Sequence, residues 1–167
     1  HLFGTTAFEE AAWPTAAVVW AAERPLASAY RRAWFHAISE STRDDLVARG
    51  VPSTRVRVIH PGVDADRYRP AADGRRATSP AFLYVGRLKR YKGIAIAIQA
   101  LAAARRRRAD LTLDIAGTGD HRTELEQLAA ALGLADAVRF HGFVSESQKI
   151  DLFQRAWGNL FPSPKEG

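Results

Sequence analysis

The chain has 167 residues, 47% hydrophobic and 25% charged, the balance of a folded globular protein and not of a disordered one. It has no cysteine, which excludes disulfides and thiolate metal sites, and no methionine. The formal net charge is +6, but residues 71–109 hold ten Lys/Arg against one Asp, whereas residues 110–167 hold five against nine Asp/Glu, so an anionic ligand is attracted to the middle of the chain.

No run of about 18 apolar residues is present, so no membrane-spanning helix is expected. Residues 11–22 are apolar but too short, are interrupted by Pro14, and lack the charged start and cleavage pattern of a secretion signal. A reducing, cytoplasmic setting is the expectation. The missing methionine, and a last segment that stops within a motif, give the expectation of a piece of a longer protein.

Residues 15–35 are expected to be mainly helical, with Pro25 at a helix start and Tyr30, Trp34 and Phe35 as apolar anchors. Ala37-Ile38 predicts a short buried strand. Ser41 with Asp44 has capping-box spacing and predicts a helix over 41–49, ended by Gly50 and Pro52. Val56, Val58 and Ile59 predict a strand, and Pro61-Gly62 a turn out of it. Residues 64–80, with Pro70, Gly74, Pro80 and no apolar periodicity, predict a linker or at most a short turn of helix.

Beyond residue 80 the pattern alternates. Strands are predicted at 81–85, 111–116, 137–141 and 158–161. Helices are predicted at 91–107, 121–132 and 146–156. Ile94, Ile98 and Leu101 share one helical face, as do Leu125, Leu128 and Leu132. Ser145 with Gln148 is a second capping box. Strands separated by single helices pair in parallel through right-handed crossovers, which predicts an α/β fold with a doubly wound sheet.

Four segments carry candidate chemistry. Phe82-Leu83-Tyr84-Val85-Gly86-Arg87 leads to Lys92-Gly93, placing two cations beyond the carboxyl end of a parallel strand, where ligands of such sheets bind. Arg offers a planar fork and Lys a point charge to a phosphate. Two solvated surface cations are the alternative, and Lys89 and Arg90 are expected to be merely exposed. Gly117-Thr118-Gly119 follows the next strand. Without a third glycine at Arg122 it is not a dinucleotide fingerprint, and a tight turn capped by Asp120 explains it equally. Phe140-His141-Gly142-Phe143-Val144 ends the third strand, and its His141 is expected to be structural, not an acid or base. Glu166 lies in Pro162-Ser163-Pro164-Lys165-Glu166-Gly167 and alone would be a surface carboxylate. The arginines at 105–108 suit a helix carboxyl end, with anionic lipid headgroups as an open alternative. Nucleic acid is disfavoured as a partner, because aromatics do not interleave with these cations and no nucleic-acid-binding motif is present.

Together, and in this order, these segments resemble the donor half of the retaining glycosyltransferases of family 4, group 1 in type, which have the two-domain GT-B architecture. The resemblance spans residues 36–167. It implies that residues 1–63 are the end of an amino-terminal Rossmann-like domain. Residues 64–80 would be a linker, entered through the hinge-like Pro61-Gly62-Val63-Asp64, and residues 81–167 a truncated nucleotide-sugar-binding domain. It implies transfer of a sugar from a nucleoside-diphosphate sugar to an acceptor hydroxyl with retention of configuration, without a metal or other cofactor. Arg87 and Lys92 would hold the diphosphate, Gly86, Gly117 and Gly119 would line the nucleotide pocket, and backbone at Val144 would meet the base. Glu166 would be the first glutamate of the family's E-x7-E motif, contacting the donor sugar beside the amide of Gly167. The family's amino-terminal glycine-rich loop and acceptor-side histidine are not identifiable in residues 1–35, so the isolated chain is expected to be inactive. A non-catalytic nucleotide-binding module and a basic nucleic-acid-binding domain are the rivals. A phosphorylase is less favoured, since no lysine for pyridoxal phosphate is evident.

Overall fold

The computed structural model describes residues 12–74 and 76–163. The chain divides into two compact units between Val63 and Asp64.

In the first unit, α1 (Trp13–Glu23) is followed by one turn of helix, α2 (Leu26–Ala29). Strand β1 (Phe35–Ala37) then leads to α3 (Glu40–Ala48), and β2 (Val56–Val58) pairs with β1 in parallel, Phe35 beside Val56 and Ala37 beside Val58. Leu46 of α3 packs against Ala37, Val51 and Val56 to close a small core. The helical expectation for 15–35 is therefore too long. Phe35 belongs to a strand, and Tyr30 and Trp34 are exposed instead of anchored. The α3 cap also differs from expectation. The extended conformation of β1 continues through Ser39 (φ −151°, ψ 164°), so the helix begins at Glu40 and Ser39 Oγ accepts the Thr42 amide at 3.2 Å. Ser41 already lies inside the first turn and cannot be the cap.

The second unit carries a parallel sheet of β3 (Ala81–Val85), β4 (Thr112–Ala116), β5 (Val138–Gly142) and β6 (Gly158–Asn159), in the order β5-β4-β3-β6. Helices α4 (Ile94–Arg105), α5 (Arg122–Ala131) and α6 (Glu146–Arg155) make the crossovers. Ile94, Ile98 and Leu101 of α4 and Leu125 of α5 pack with Leu113 and Ile115 of β4. Each fully buried aliphatic side chain there contributes about 1.5–3 kcal/mol of transfer free energy. Alternation along the strands turns Leu83 and Asp114 to the opposite face, where Leu152 and Ala156 lie near Asp114. Helices thus cover both faces, as expected of a doubly wound sheet. Ser145 caps α6 through the predicted capping box, accepting from the Gln148 amide while Gln148 returns to the Ser145 amide. Leu132 falls beyond the end of α5 and is exposed, unlike its predicted partners Leu125 and Leu128.

The described part of 64–80 has no helix or strand, but it is fastened to the sheet unit. Tyr68 donates its hydroxyl hydrogen bond to Glu146 and meets Phe153 edge-on at 6.2 Å. Gln154 donates to the Arg69 carbonyl, and the Trp157 ring nitrogen donates to the Ala77 carbonyl at 2.8 Å.

Candidate functional site

From β3 the chain winds outward through β4 to β5, then returns to place β6 on the other side of β3. The order of strands therefore reverses between β3 and β6, and ligands of such sheets bind beyond the carboxyl ends at that reversal. Two loops meet there. After β3 comes a single 3-10 turn, Arg90–Lys92, closed by Gly93 in the left-handed conformation (φ 67°). A Cβ on Gly93 would collide with the carbonyl oxygen of Pro162, and Ser163 donates its hydroxyl to the Tyr91 carbonyl at 3.4 Å. The segment after β6 thus lies directly on the loop after β3. Glu166 and Gly167 lie outside the described residues, so their predicted contacts with the sugar have no geometry here.

Arg87 and Lys92 both reach Tyr91. The Arg87 guanidinium donates to the Tyr91 hydroxyl at 3.0 Å, and Lys92 Nζ lies 5.1 Å from the centre of its ring. Sequence reasoning missed Tyr91, although an aromatic residue between two cations is a signal for such a contact. Tyr84 steadies the loop from below, donating its hydroxyl to the Arg87 carbonyl at 3.0 Å.

The loops after β3 and β4 are joined main chain to main chain. The Gly86 amide donates to Ala116, the Leu88 amide to Thr118 at 2.9 Å, and the His121 amide back to Leu88. The Gly117 amide donates to the Gly142 carbonyl at 2.7 Å, extending the join to β5. A Cβ on Gly117 would strike the carbonyl oxygen of Gly86, and one on Gly119 the carbonyl oxygen of Leu88. Both glycines are therefore required by the close approach of two backbones. Asp120 does not cap the helix as expected, since no side chain caps α5. It binds Lys89 at 2.9 Å, so Lys89 is a tie between the loops and not a merely exposed cation. That hydrogen bond, outweighing what desolvation the site imposes, holds the Asp120 carboxyl below its ordinary range.

Beneath the third loop lies a charged cluster not foreseen from sequence. Asp114 is buried at 8% exposure, and its carboxylate accepts from Arg139 Nε at 2.8 Å and from the Arg139 terminal nitrogen at 2.7 Å. It also accepts at 2.6 Å from His141 Nε2, which must carry the hydrogen because an ionised carboxylate only accepts. Burial pushes the Asp114 carboxyl up, but the hydrogen bonds from Arg139 and His141 outweigh it and hold the group below the usual carboxylate range. The available signal was an acid within the apolar run Leu111-Thr112-Leu113-Asp114-Ile115-Ala116, which demands a partner once buried. Val144, with His141, Phe143 and Gln148, lines an open cavity of about 450 Å³ between the end of β5 and α6.

The Glycosyl transferases group 1 family matches residues 69–167, more than half of the chain. The chain belongs to the group 1 glycosyl transferases. Residues 1–67 match Glycosyltransferase Family 4. A D-inositol 3-phosphate glycosyltransferase of Streptomyces avermitilis is 35% identical over 130 residues, covering 67% of this chain and 28% of its own. The group 1 chain described here thus spans less than a third of that curated relative. Among solved structures, sucrose-phosphate synthase from Thermosynechococcus elongatus superposes with a TM-score of 0.74 at 24% identity, covering 99% of this chain and 44% of its own. Anabaena HepE, solved in complex with UDP-glucose, superposes with a TM-score of 0.66 at 24% identity, covering 77% and 38%. These likenesses establish the GT-B glycosyltransferase fold for this group 1 chain. No helix among the described residues is long and apolar enough to cross a membrane.

Proposed function

We propose that this chain supplies the donor side of a glycosyltransferase that moves a sugar from a nucleoside-diphosphate sugar to an acceptor hydroxyl with retention of configuration. Residues 1–63 belong in this reading to the amino-terminal domain, 64–80 to the connection, and 81–167 to the donor domain. The observation that carries the reading is the meeting of two loops at the strand reversal. There Arg87 and Lys92 converge on Tyr91, whose carbonyl accepts from Ser163, next to the paired turns at Gly86 and Gly117. HepE, which shares the fold, is the protein solved with UDP-glucose and supports a nucleotide-sugar donor.

During transfer the bond from the anomeric carbon to the phosphate oxygen breaks, and its electron pair stays on the diphosphate. Charge that develops there is stabilised by donors fixed in advance, which need not reorganise as the bond breaks. Arg87 provides a fork already oriented by Tyr91, and Lys92 provides a compact positive charge. Gly86, Gly117 and Gly119 let the backbone of the two loops come close enough to form the floor beneath the nucleotide. Backbone at Val144 meets the base, while Glu166 and the Gly167 amide orient the sugar.

A thermal-shift panel of UDP-, GDP- and ADP-sugars tests the reading. A donor at about 100 times its Kd adds roughly 2.7 kcal/mol, which raises the melting temperature of a domain of this size by about 5–10 °C. One base is expected to stand out, and Arg87→Ala/Lys92→Ala is expected to abolish its shift. A shift that survives the double substitution overturns the assignment of the site.

A further inference from the structure

At the opposite, amino-terminal ends of the strands, five arginines and one tryptophan gather. Arg105 ends α4 and donates at 2.5 Å to the Leu111 carbonyl, just before β4, which fixes the run at 105–108 against the sheet. Arg106, Arg107 and Arg108 are exposed. The Arg108 guanidinium lies 5.9 Å from the centre of the Trp157 ring, and Arg76 lies at the same distance from it. Trp157 precedes β6 and is held by its backbone amide on the Ala81 carbonyl and its ring nitrogen on the Ala77 carbonyl. The residue is nevertheless 43% exposed, and its ring N–H is engaged by Ala77. Asp110, on Arg108 at 2.9 Å, is the carboxylate seen against these five cations.

We propose that this cluster is a docking site for an anionic lipid bilayer. A row of guanidinium groups at one end of the sheet matches the negative surface of such a bilayer, and the exposed Arg76, Arg106 and Arg107 can each fork onto a phosphate or carboxylate. A rigid, partly exposed tryptophan suits the headgroup layer, where indole rings concentrate. A polynucleotide would instead be served by successive stacking rings along a cationic groove, and among the described residues this cluster holds a single ring. The cluster lies at the opposite ends of the strands from the proposed donor site and does not depend on the reading of that site.

Co-sedimentation of the chain with phosphatidylcholine vesicles, with and without phosphatidylserine, tests the inference, alongside fluorescence titration with a single-stranded polynucleotide. Binding is expected on the phosphatidylserine vesicles and not on the neutral ones. At about five-fold per arginine near an anionic surface, Arg106→Gln/Arg107→Gln should weaken it about 25-fold and the further change Arg108→Gln about a hundred-fold. Arg87→Ala/Lys92→Ala should bind vesicles like the unaltered chain. Equal binding to neutral vesicles, retention of affinity by the triple variant, equal loss in the Arg87/Lys92 variant, or tighter binding to polynucleotide than to vesicles would each overturn it.

Discussion

Asp114→Asn is the most informative single substitution for the sheet that carries the loops of the candidate site. Its carboxylate accepts three hydrogen bonds, two from Arg139 and one from His141, in a buried position. Asparagine keeps the volume but offers one acceptor oxygen, and its amide nitrogen then faces another donor. A hydrogen bond to a charged group contributes about 1.5–3 kcal/mol net. The Arg139 side chain is 51% exposed and can regain water, so its two bonds count at the low end of that range. The expected loss is about 2–3 kcal/mol near neutral pH, a fall of roughly 5–10 °C in melting temperature for a chain of this size. The pH dependence supplies a second reading. The folded-state pKa of Asp114 is depressed, so its contribution is fully present above the unfolded value of about 3.9 and is lost as pH falls through the folded value. Scanning calorimetry of both proteins from neutral pH into acid should therefore show a gap that is wide at pH 7 and closes below about pH 4. Equal melting temperatures at neutral pH, or a gap that persists unchanged in acid, would refute the account of this cluster.

Three further outcomes are expected. Gly119→Ala drives a methyl group into the Leu88 carbonyl; since backbone must move, it should cost at least about 1–3 kcal/mol in a thermal melt, and it should also abolish any donor-induced shift. Ser145→Ala removes the α6 cap and should cost about 1 kcal/mol, visible as a melting temperature lower by about 2–4 °C. The isolated chain should transfer no sugar in a radiolabelled-donor assay, and detectable transfer would show that it already holds a complete acceptor site.

The sheet unit was legible because its signals are local. Buried parallel strands appear as apolar runs such as Phe82-Leu83-Tyr84-Val85, and Ile94, Ile98 and Leu101 recur at helical spacing. The capping box at Ser145 was legible for the same reason. What escaped was decided by partners distant in sequence. Ser39 and Ser41 are chemically alike, and only the extended strand leading into Ser39 selects the cap. The segment 64–80 has no periodicity, yet Tyr68, Gln154 and Trp157 bind it down across about 80 positions of chain. At the site, Gly117-Thr118-Gly119 was legible as a turn. The need for glycine was not, because the obstructing carbonyls belong to Gly86 and Leu88 of the neighbouring loop. Family resemblance supplied the roles of Arg87, Lys92 and Glu166, which spacing alone left open.

The paired turns at Gly86 and Gly117 are welded by peptide groups, with Leu88 bonded to Thr118 and His121, and the Lys89–Asp120 side chains add a further tie. A platform built that way is indifferent to most exchanges of side chain around it. Side chains around it, such as that of Thr118, are thus at liberty to change over time without dismantling the support underneath.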